Sequence, residues 1–326
     1  MASTILARYA ESIFWLARYV ERAENLARIL DVNETFSRDS RGAQNWTSIL
    51  LLNGDEEAFE ERYPDAEPRS IIGFYSIDRE NPNSIISAVT AARENARALR
   101  PLISTEMWSQ LNVLYNWLRS LQPHDVSGPY LSSFCQKVKE ACQAHTGITE
   151  GTFHRDQGYV FYELGKFMER ADQTTRVLDI KYHLLLPSVS DVGSPFDVSQ
   201  WNALLRSVAG YHAFRRSYPR GMTAANVAEF LLFNSGFPRS VSLCVSHSYD
   251  MLNQLRSRYG LSRGLDTLEL MDNLHGRMQA MEIKTVMKHG LHEFLDRVQL
   301  DLIDVTVSIG HSYFYADYSQ DAAGDS

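Results

Sequence analysis

The chain has 326 residues, of which 44% are hydrophobic and 22% are charged, and its formal net charge at pH 7 is −8. This composition supports a buried core along most of the chain, and the length suggests two domains. The acidic balance opposes sequence-independent binding to nucleic acid, which depends on basic residues that neutralise phosphates, and three cysteines without CxxC spacing do not make a disulfide framework.

The N-terminal segment combines apolar residues with charges. Arg8, Glu11 and Arg18 interrupt it, so the segment is predicted to be neither a secretory signal nor a membrane span. No later segment approaches the roughly 18 uncharged apolar residues that a spanning helix needs. Together with the sparse cysteines, these features favour a cytoplasmic protein that does not contact a membrane.

Amphipathic helices are predicted along nearly the whole chain, because apolar residues recur every three or four positions. In chain order, the predicted helices cover residues 4–38, 84–100, 104–121, 131–144, 152–185, 199–217, 239–258, 265–281 and 286–317. Only residues 70–78 (SIIGFYSID) are considered as a strand, since no segment alternates with period two for long. The predicted fold class is an all-α helical bundle.

The chain repeats a Glu-Arg motif. Residues 15–31 (WLARYVERAENLARILD) align with residues 163–179 (ELGKFMERADQTTRVLD) at an offset of 148, and seven of the 17 positions are identical. Two further pairs of segments align in the same order, namely residues 46–64 with 201–219 and residues 74–84 with 230–240. Three collinear matches indicate a tandem duplication.

The duplication predicts the domain organisation. Residues 1–148 are expected to form the first helical repeat, residues 149–319 the second, and residues 320–326 a disordered tail of small and polar residues. The halves are expected to superpose as similar helical units. Assembly of the whole chain into a homo-oligomer stays open.

Each Glu-Arg helix has one polar face with the pattern acid, acid, base, acid. Spacings of three and four residues place Glu21, Glu24, Arg28 and Asp31 on one side of the first helix, and Glu169, Asp172, Arg176 and Asp179 on one side of the second. A second polar row consists of Arg18, Arg22 and Asn25, matched by Lys166, Arg170 and Gln173. Three interpretations are open: a solvated face with ion pairs along each helix, a structural ion-pair network between the helices, and a functional site.

Charges retained between diverged copies favour a shared polar cleft. Its candidate residues are Glu21, Arg22, Glu24, Arg28, Glu169, Arg170, Asp172 and Arg176. The two faces are electrostatically self-complementary when the helices lie antiparallel. Arg28 is then predicted to approach Glu169 or Asp172, and Arg176 to approach the acidic pair of the first helix, with the motifs buried or half-buried.

A histidine-bearing segment near the C-terminus is a second candidate. Residues 288–296 (KHGLHEFLD) place His289, His292, Glu293 and Asp296 on one predicted helix face. Helical bundles do build metal sites from inward-facing carboxylates and histidines, but this spacing is not HExxH and the first repeat has no counterpart. The prediction is an exposed polar face without a metal, and the alternative is a site with His289, His292 and Glu293 as ligands.

Three arginines of the second repeat are candidate anion-binding residues. Arg215 and Arg216 alternate with aromatic residues, and Arg239 stands in the segment FPRS. A guanidinium group can bind a carboxylate or phosphate through two parallel hydrogen bonds. Simple solvation at the surface is the alternative.

Sequence templates for cofactor binding and nucleophilic catalysis are absent. The patterns GxxxxGK[ST], GxGxxG and GxSxG do not occur, which removes the usual evidence for a phosphate-binding loop, a dinucleotide site or a hydrolase elbow. No cofactor is predicted.

The motifs together resemble one family of bacterial proteins. The segments FWLARYVERAENLARILD (14–31), NPNSIISAVTAARENARALR (81–100), TEMW (105–108), FMERADQTTRVLD (167–179) and EFLLFNSGFPRSV (229–241) are similar to the alpha-E family, which is named for its helices and its Glu-Arg motif. The resemblance covers essentially the whole chain. It implies as partners a circularly permuted ATP-grasp protein and a transglutaminase-like protein, which are typically encoded beside family members. It implies no catalytic residue.

Two functions are compatible with these observations. The first is an accessory or scaffolding component of an ATP-grasp-linked system that forms amide bonds or modifies peptides, with the Glu-Arg helices binding the partner or a peptide. The second is an enzyme in its own right, in which paired Glu or Asp and Arg residues act as acid, base and anion clamp, with a metal at the histidine face as a further element.

Overall fold

The computed structural model describes residues 5–39, 46–184, 195–261 and 264–315. Within these ranges the chain forms α-helices, short 3-10 and π-helical turns, and no strand. The helices are α1 (Ala7–Asp39), α2 (Thr47–Asn53), α3 (Glu56–Glu60), α4 (Pro68–Ser76), α5 (Ile85–Ala98), α6 (Thr105–Ser120), α7 (Leu131–Thr152), α8 (Gln157–Leu184), α9 (Pro195–Ser207), α10 (Tyr211–Ser217), α11 (Ala224–Phe233), α12 (Val241–Ser257), α13 (Leu265–Ala280), α14 (Ile283–His289) and α15 (Leu291–Ile309). None of the described helices is both long and apolar enough to span a membrane.

The all-α prediction is confirmed, with three local corrections. The segment considered as a strand is α4, where Pro68 occupies the first helical turn and a short apolar run is buried. Predicted helix 199–217 is divided at Ala209, whose φ is 56°. Predicted helix 286–317 is divided at Gly290, whose φ of 111° lies in the region that favours glycine.

Helices α1 and α8, which carry the two Glu-Arg motifs, lie side by side at the centre of the fold. They run in the same direction, because contacting positions advance together along both helices. The Ile5 N–H donates to Gln157 Oε1 (2.9 Å), and farther along Arg22 Nε donates to Glu169 Oε1 (2.7 Å). The predicted antiparallel arrangement is therefore wrong.

A glycine lets the two helices approach closely. Gly165 of α8 faces the backbone of α1, and a Cβ atom there would lie 2.3 Å from the carbonyl oxygen of Phe14. This separation is far below van der Waals contact, so only glycine fits at the crossing.

The remaining helices surround this pair in two similar sets. Helices α5 and α7 pack on α1 and both contact α6, and helices α12 and α15 pack on α8 and both contact α13. One helix of each half also packs on the central helix of the other half: α2 contacts α8, and α9 contacts α1. The two halves therefore interlock.

Aligned positions of the two halves make similar contacts. Phe59 stacks on Tyr63 with ring centroids 4.9 Å apart, and the aligned pair Phe214 and Tyr218 stacks at 5.1 Å. These local equivalences support the duplication, while superposition of the complete halves stays a prediction. The boundary placed between residues 148 and 149 lies inside α7, and the tail 320–326 lies outside the described residues.

Two aligned serines begin α5 and α12. Ser84 accepts the Ser87 N–H (3.2 Å), Ser240 accepts the Leu243 N–H (3.2 Å), and each hydroxyl also donates to a carbonyl six residues upstream. Because both serines are fully buried, replacing either by alanine is expected to lower the free energy of unfolding by about 1–2 kcal/mol. Urea denaturation checks this result.

Thr223 provides the control, since it caps α11 at an exposed position by accepting the Asn226 N–H (3.1 Å). Thr223→Ala is expected to cost only about 0.5 kcal/mol, the lower limit for a lost cap. A silent change at Ser84 or Ser240 would contradict the structural equivalence of the two caps.

Candidate functional site

The glutamate of the second Glu-Arg motif is enclosed by two arginines of α1. Glu169 is 0% exposed. Arg18 Nε donates to its Oε2 (2.8 Å), while Arg22 donates through Nε to Oε1 (2.7 Å) and through Nη2 to Oε2 (3.0 Å). Both carboxylate oxygens are thus bound by charged donors, and Arg22 binds them with two parallel bonds.

The glutamate of the first motif has the reciprocal arrangement. Arg170 Nη2 donates to Glu21 Oε2 (2.9 Å), and Arg239 Nη1 donates to Glu21 Oε1. Arg239 Nη2 also donates to Glu24 Oε1 (3.1 Å). The Glu of each motif therefore binds the Arg of the other, because parallel alignment places equivalent positions opposite each other.

The neighbouring arginines keep both buried motif glutamates ionised. Burial acts to raise the pKa of Glu21, but Arg239 and Arg170 outweigh it and lower the pKa to about 2. Burial likewise acts to raise the pKa of Glu169, and Arg22 and Arg18 lower it to about 2. A carboxylate with such a pKa is a poor general acid or base near neutral pH, because catalysis needs a pKa near the working pH.

Two predicted contacts between the helices are wrong. Arg28 donates to Glu24 of its own helix through Nε (3.0 Å) and Nη2 (2.6 Å), and Arg176 Nε donates to Asp172 of its own helix (2.9 Å). The parallel course is the physical reason, since Arg28 and Arg176 lie farther along the helices than the motifs that face each other. The bridging arginines are instead Arg22 and Arg170.

The predicted anion-binding arginines do not form one site. Arg239 lies in the network with Glu21 and Glu24, so its charge is already neutralised. Arg215 and Arg216 are exposed on α10, and neither makes an ion pair with any residue that the structure describes. Sequence reasoning did not place Arg18 in the cleft, although its position in the second polar row marks it.

The predicted histidine face is also divided. Because Gly290 ends α14, His289 lies on a different helix from His292 and Glu293, and its Nδ1 is 2.9 Å from the Thr285 carbonyl oxygen. His292 instead forms a hydrogen bond with Asp179 through Nδ1 (2.8 Å) and lies 3.4 Å from Asp296.

That cluster has the composition of a metal site but also a simpler explanation. Asp179, His292 and Asp296 each offer one ligand atom, and these atoms lie within 4.8 Å of one another. The same contacts form an ion pair when His292 is protonated, and hydrogen bonding to Asp179 raises the pKa of that histidine. In the first half, Lys139 Nζ pairs with the aligned Asp31 (2.6 Å), which supports the ion-pair explanation.

A small polar pocket opens beside the Glu-Arg network. Its volume is about 130 Å³, and it is lined by Arg22, Leu26, Asn53, Asn83, Asp172, Gln173 and Arg176. Four separate segments of the chain thus meet at this pocket. A larger pocket of about 500 Å³ lies at the other end of α1, where Ile5, Ile13 and Phe153 contribute to a mainly apolar lining.

The polar pocket contains donors that no described residue uses. Arg22 donates through Nε and Nη2 to Glu169, and Arg176 donates through Nε to Asp172. No acceptor among the described residues binds Nη1 of Arg22 or either terminal nitrogen of Arg176, and both side chains are partly exposed. The arrangement can therefore bind an acceptor-rich group from solution.

A buried histidine lies on α7, outside this pocket. Neither ring nitrogen of His145 has a hydrogen-bond partner among the described residues, and burial lowers its pKa to about 4 from 6.5. The unfolded chain binds this proton below about pH 6.5, whereas the folded chain binds it only below about pH 4. Stability is therefore expected to fall between about pH 6.5 and pH 4, by up to about 1.4 kcal/mol per pH unit from this group.

Urea denaturation at pH 7.5 and pH 5, with His145→Leu as the comparison, measures this contribution. The variant is expected to lose less stability than the parent on acidification. An equal loss in both proteins would show that His145 is not the titrating group.

Comparison with known proteins gives a family but no activity. The profile of the family Alpha-E, described as a predicted alpha-helical domain with a conserved ER motif, matches residues 5–314. Uncharacterized proteins of Mycobacterium bovis and Mycobacterium tuberculosis are 25% identical to the chain over 327 aligned positions, which cover 91% of the chain and 36% of each relative. The chain thus spans about a third of the length of these relatives. No solved structure matches it.

Proposed function

The chain belongs to the Alpha-E family, and from that premise we propose that it is an accessory or scaffolding component of an ATP-grasp-linked system. The system would form amide bonds or modify peptides, and the chain would bind a partner or a peptide substrate beside the Glu-Arg helices. We place the chain in the cytoplasm, where ATP is available.

The Glu-Arg ion-pair network and the small polar pocket beside it differ in what they can do, and this contrast supports the proposal. The motif carboxylates of Glu21 and Glu169 are saturated by arginines and ionised, so they suit a fixed support better than proton transfer. The neighbouring pocket is lined by Arg22 and Arg176, whose remaining terminal nitrogens have no acceptor among the described residues. This division of roles favours binding over catalysis by the motif residues.

Co-purification tests the proposal. The tagged chain is expressed together with a circularly permuted ATP-grasp protein and a transglutaminase-like protein from the same organism, and complexes are isolated by affinity and size-exclusion chromatography. We expect at least one of the two to co-elute. Failure of both to bind, with all three proteins folded, would overturn the accessory role.

Variants then locate the interaction. Asn83→Arg at the pocket is expected to weaken the complex, while Arg215→Ala, on the exposed surface of α10, is expected to leave it unchanged. Equal binding by both variants would place the partner on another surface.

A further inference from the structure

The small polar pocket contains Asn83 at a position where the other half of the chain has an arginine. Alignment of residues 74–84 with 230–240 places Asn83 opposite Arg239. The guanidinium of Arg239 forms ion pairs with both Glu21 and Glu24. In the first half the shorter Asn83 side chain instead donates to Asp55 (2.8 Å).

Because asparagine replaces arginine here, the carboxylate of Asp172 is left with room for a cation. Asp172 aligns with Glu24, but among the described residues it has one ion-pair partner, Arg176, where Glu24 has Arg28 and Arg239. A small ammonium group entering the pocket would supply the charge that Arg239 supplies in the second half.

The same pocket also has room for an anion. The unused terminal nitrogens of Arg22 and Arg176 are suited to the two oxygens of a carboxylate. Carboxamides of Asn53 and Gln173 complete a lining that offers both donors and acceptors. One carboxylate and two guanidinium groups in the same small pocket match a ligand that carries a positive and a negative charge.

Size restricts the ligand further. A pocket of about 130 Å³ has the volume of about four water molecules in the liquid. This volume fits the five non-hydrogen atoms shared by all amino acid headgroups. A zwitterion also leaves the net charge of the pocket unchanged, which limits the cost of enclosing it.

We propose that this pocket binds the headgroup of a free α-amino acid, with its carboxylate on Arg22 and Arg176 and its ammonium on Asp172. The inference rests on the proposed function only in treating the pocket as a binding site of the system. Its test needs no partner protein.

Calorimetric titration of the purified full chain with each of the twenty free L-amino acids tests the inference. At least one is expected to bind, and its N-acetyl and its amide derivatives are each expected to bind about tenfold more weakly or worse, because each removes one charge. Absence of binding by all twenty would overturn the proposal. Undiminished binding of the N-acetyl form would overturn the ammonium contact, and undiminished binding of the amide would overturn the carboxylate contact.

Variants test the location. Asn83→Arg, which places a guanidinium where the second half has one, is expected to weaken binding about tenfold or more, and Arg215→Ala is expected to have no effect. Equal affinity of a folded Asn83→Arg variant would overturn the assignment to this pocket. The derivative titrations use the unmodified chain, so they measure both headgroup contacts even where Asn83→Arg does not fold.

The two proposals fail separately. Partner co-elution without amino acid binding removes only this inference. Amino acid binding without co-elution removes only the accessory role.

Discussion

Replacing Glu169 with glutamine is expected to lower the free energy of unfolding by about 3–5 kcal/mol. The carboxylate is fully buried between Arg18 and Arg22. Glutamine has nearly the same shape but no charge, so two guanidinium groups lose their common partner inside the fold. Removing one member of a buried ion-pair network costs more than an exposed pair contributes, since the remaining charges stay desolvated.

Urea denaturation of the purified variant measures this loss, and Glu80→Gln is the matched control. Glu80 also pairs with an arginine, Arg62, but its side chain is 83% exposed and the pair distance is 3.6 Å. The control is expected to change stability by less than about 0.5 kcal/mol. Equal midpoints for the parent and Glu169→Gln would mean that the network does not hold the two helices together.

Gly165→Ala is expected to destabilise the fold by about 3 kcal/mol, although it adds a single methyl group. The new Cβ would lie 2.3 Å from the Phe14 carbonyl oxygen, and backbone cannot rotate away as a flexible side chain can. Helices α1 and α8 would have to separate, which would also lengthen the contacts of Arg18 and Arg22 with Glu169.

Gly147→Ala is the control for this change. Gly147 lies within α7, and a Cβ atom there would meet nothing within 4 Å. Because alanine is the better helix former, this variant is expected to be neutral or to gain up to about 1 kcal/mol. Thermal melts of both variants compare the two sites, and a Gly165→Ala melting temperature at or above that of the parent would contradict the close crossing.

The helices were predictable because their apolar residues follow the helical period over long stretches. Both Glu-Arg helices and the helix starts near Ser84 and Ser240 follow from such local signals. The breaks at Ala209 and Gly290 were missed because the apolar period continues across them, although a glycine stands at or beside each break.

The direction in which α1 and α8 run could not be read from their charges. A helix face with the pattern acid, acid, base, acid can place opposite charges next to each other in either a parallel or an antiparallel pair. The close approach of the two helices depends on Gly165, which lies outside that pattern. Glu21 and Arg239 are 218 residues apart in sequence, so no periodicity connects them. The pocket was missed for the same reason, since its lining comes from four segments.

The reciprocal pairing of the motifs sets an order of events during synthesis on the ribosome. When α1 emerges, Arg18 and Arg22 have no Glu169, and Glu21 has neither Arg170 nor Arg239. Arg239 follows Glu21 by 218 residues, so the first half is expected to stay loosely packed and to depend on the later half for a closed core. A stalled or truncated product ending before Arg239 would then expose a charged helix face and be a substrate for chaperones and proteases.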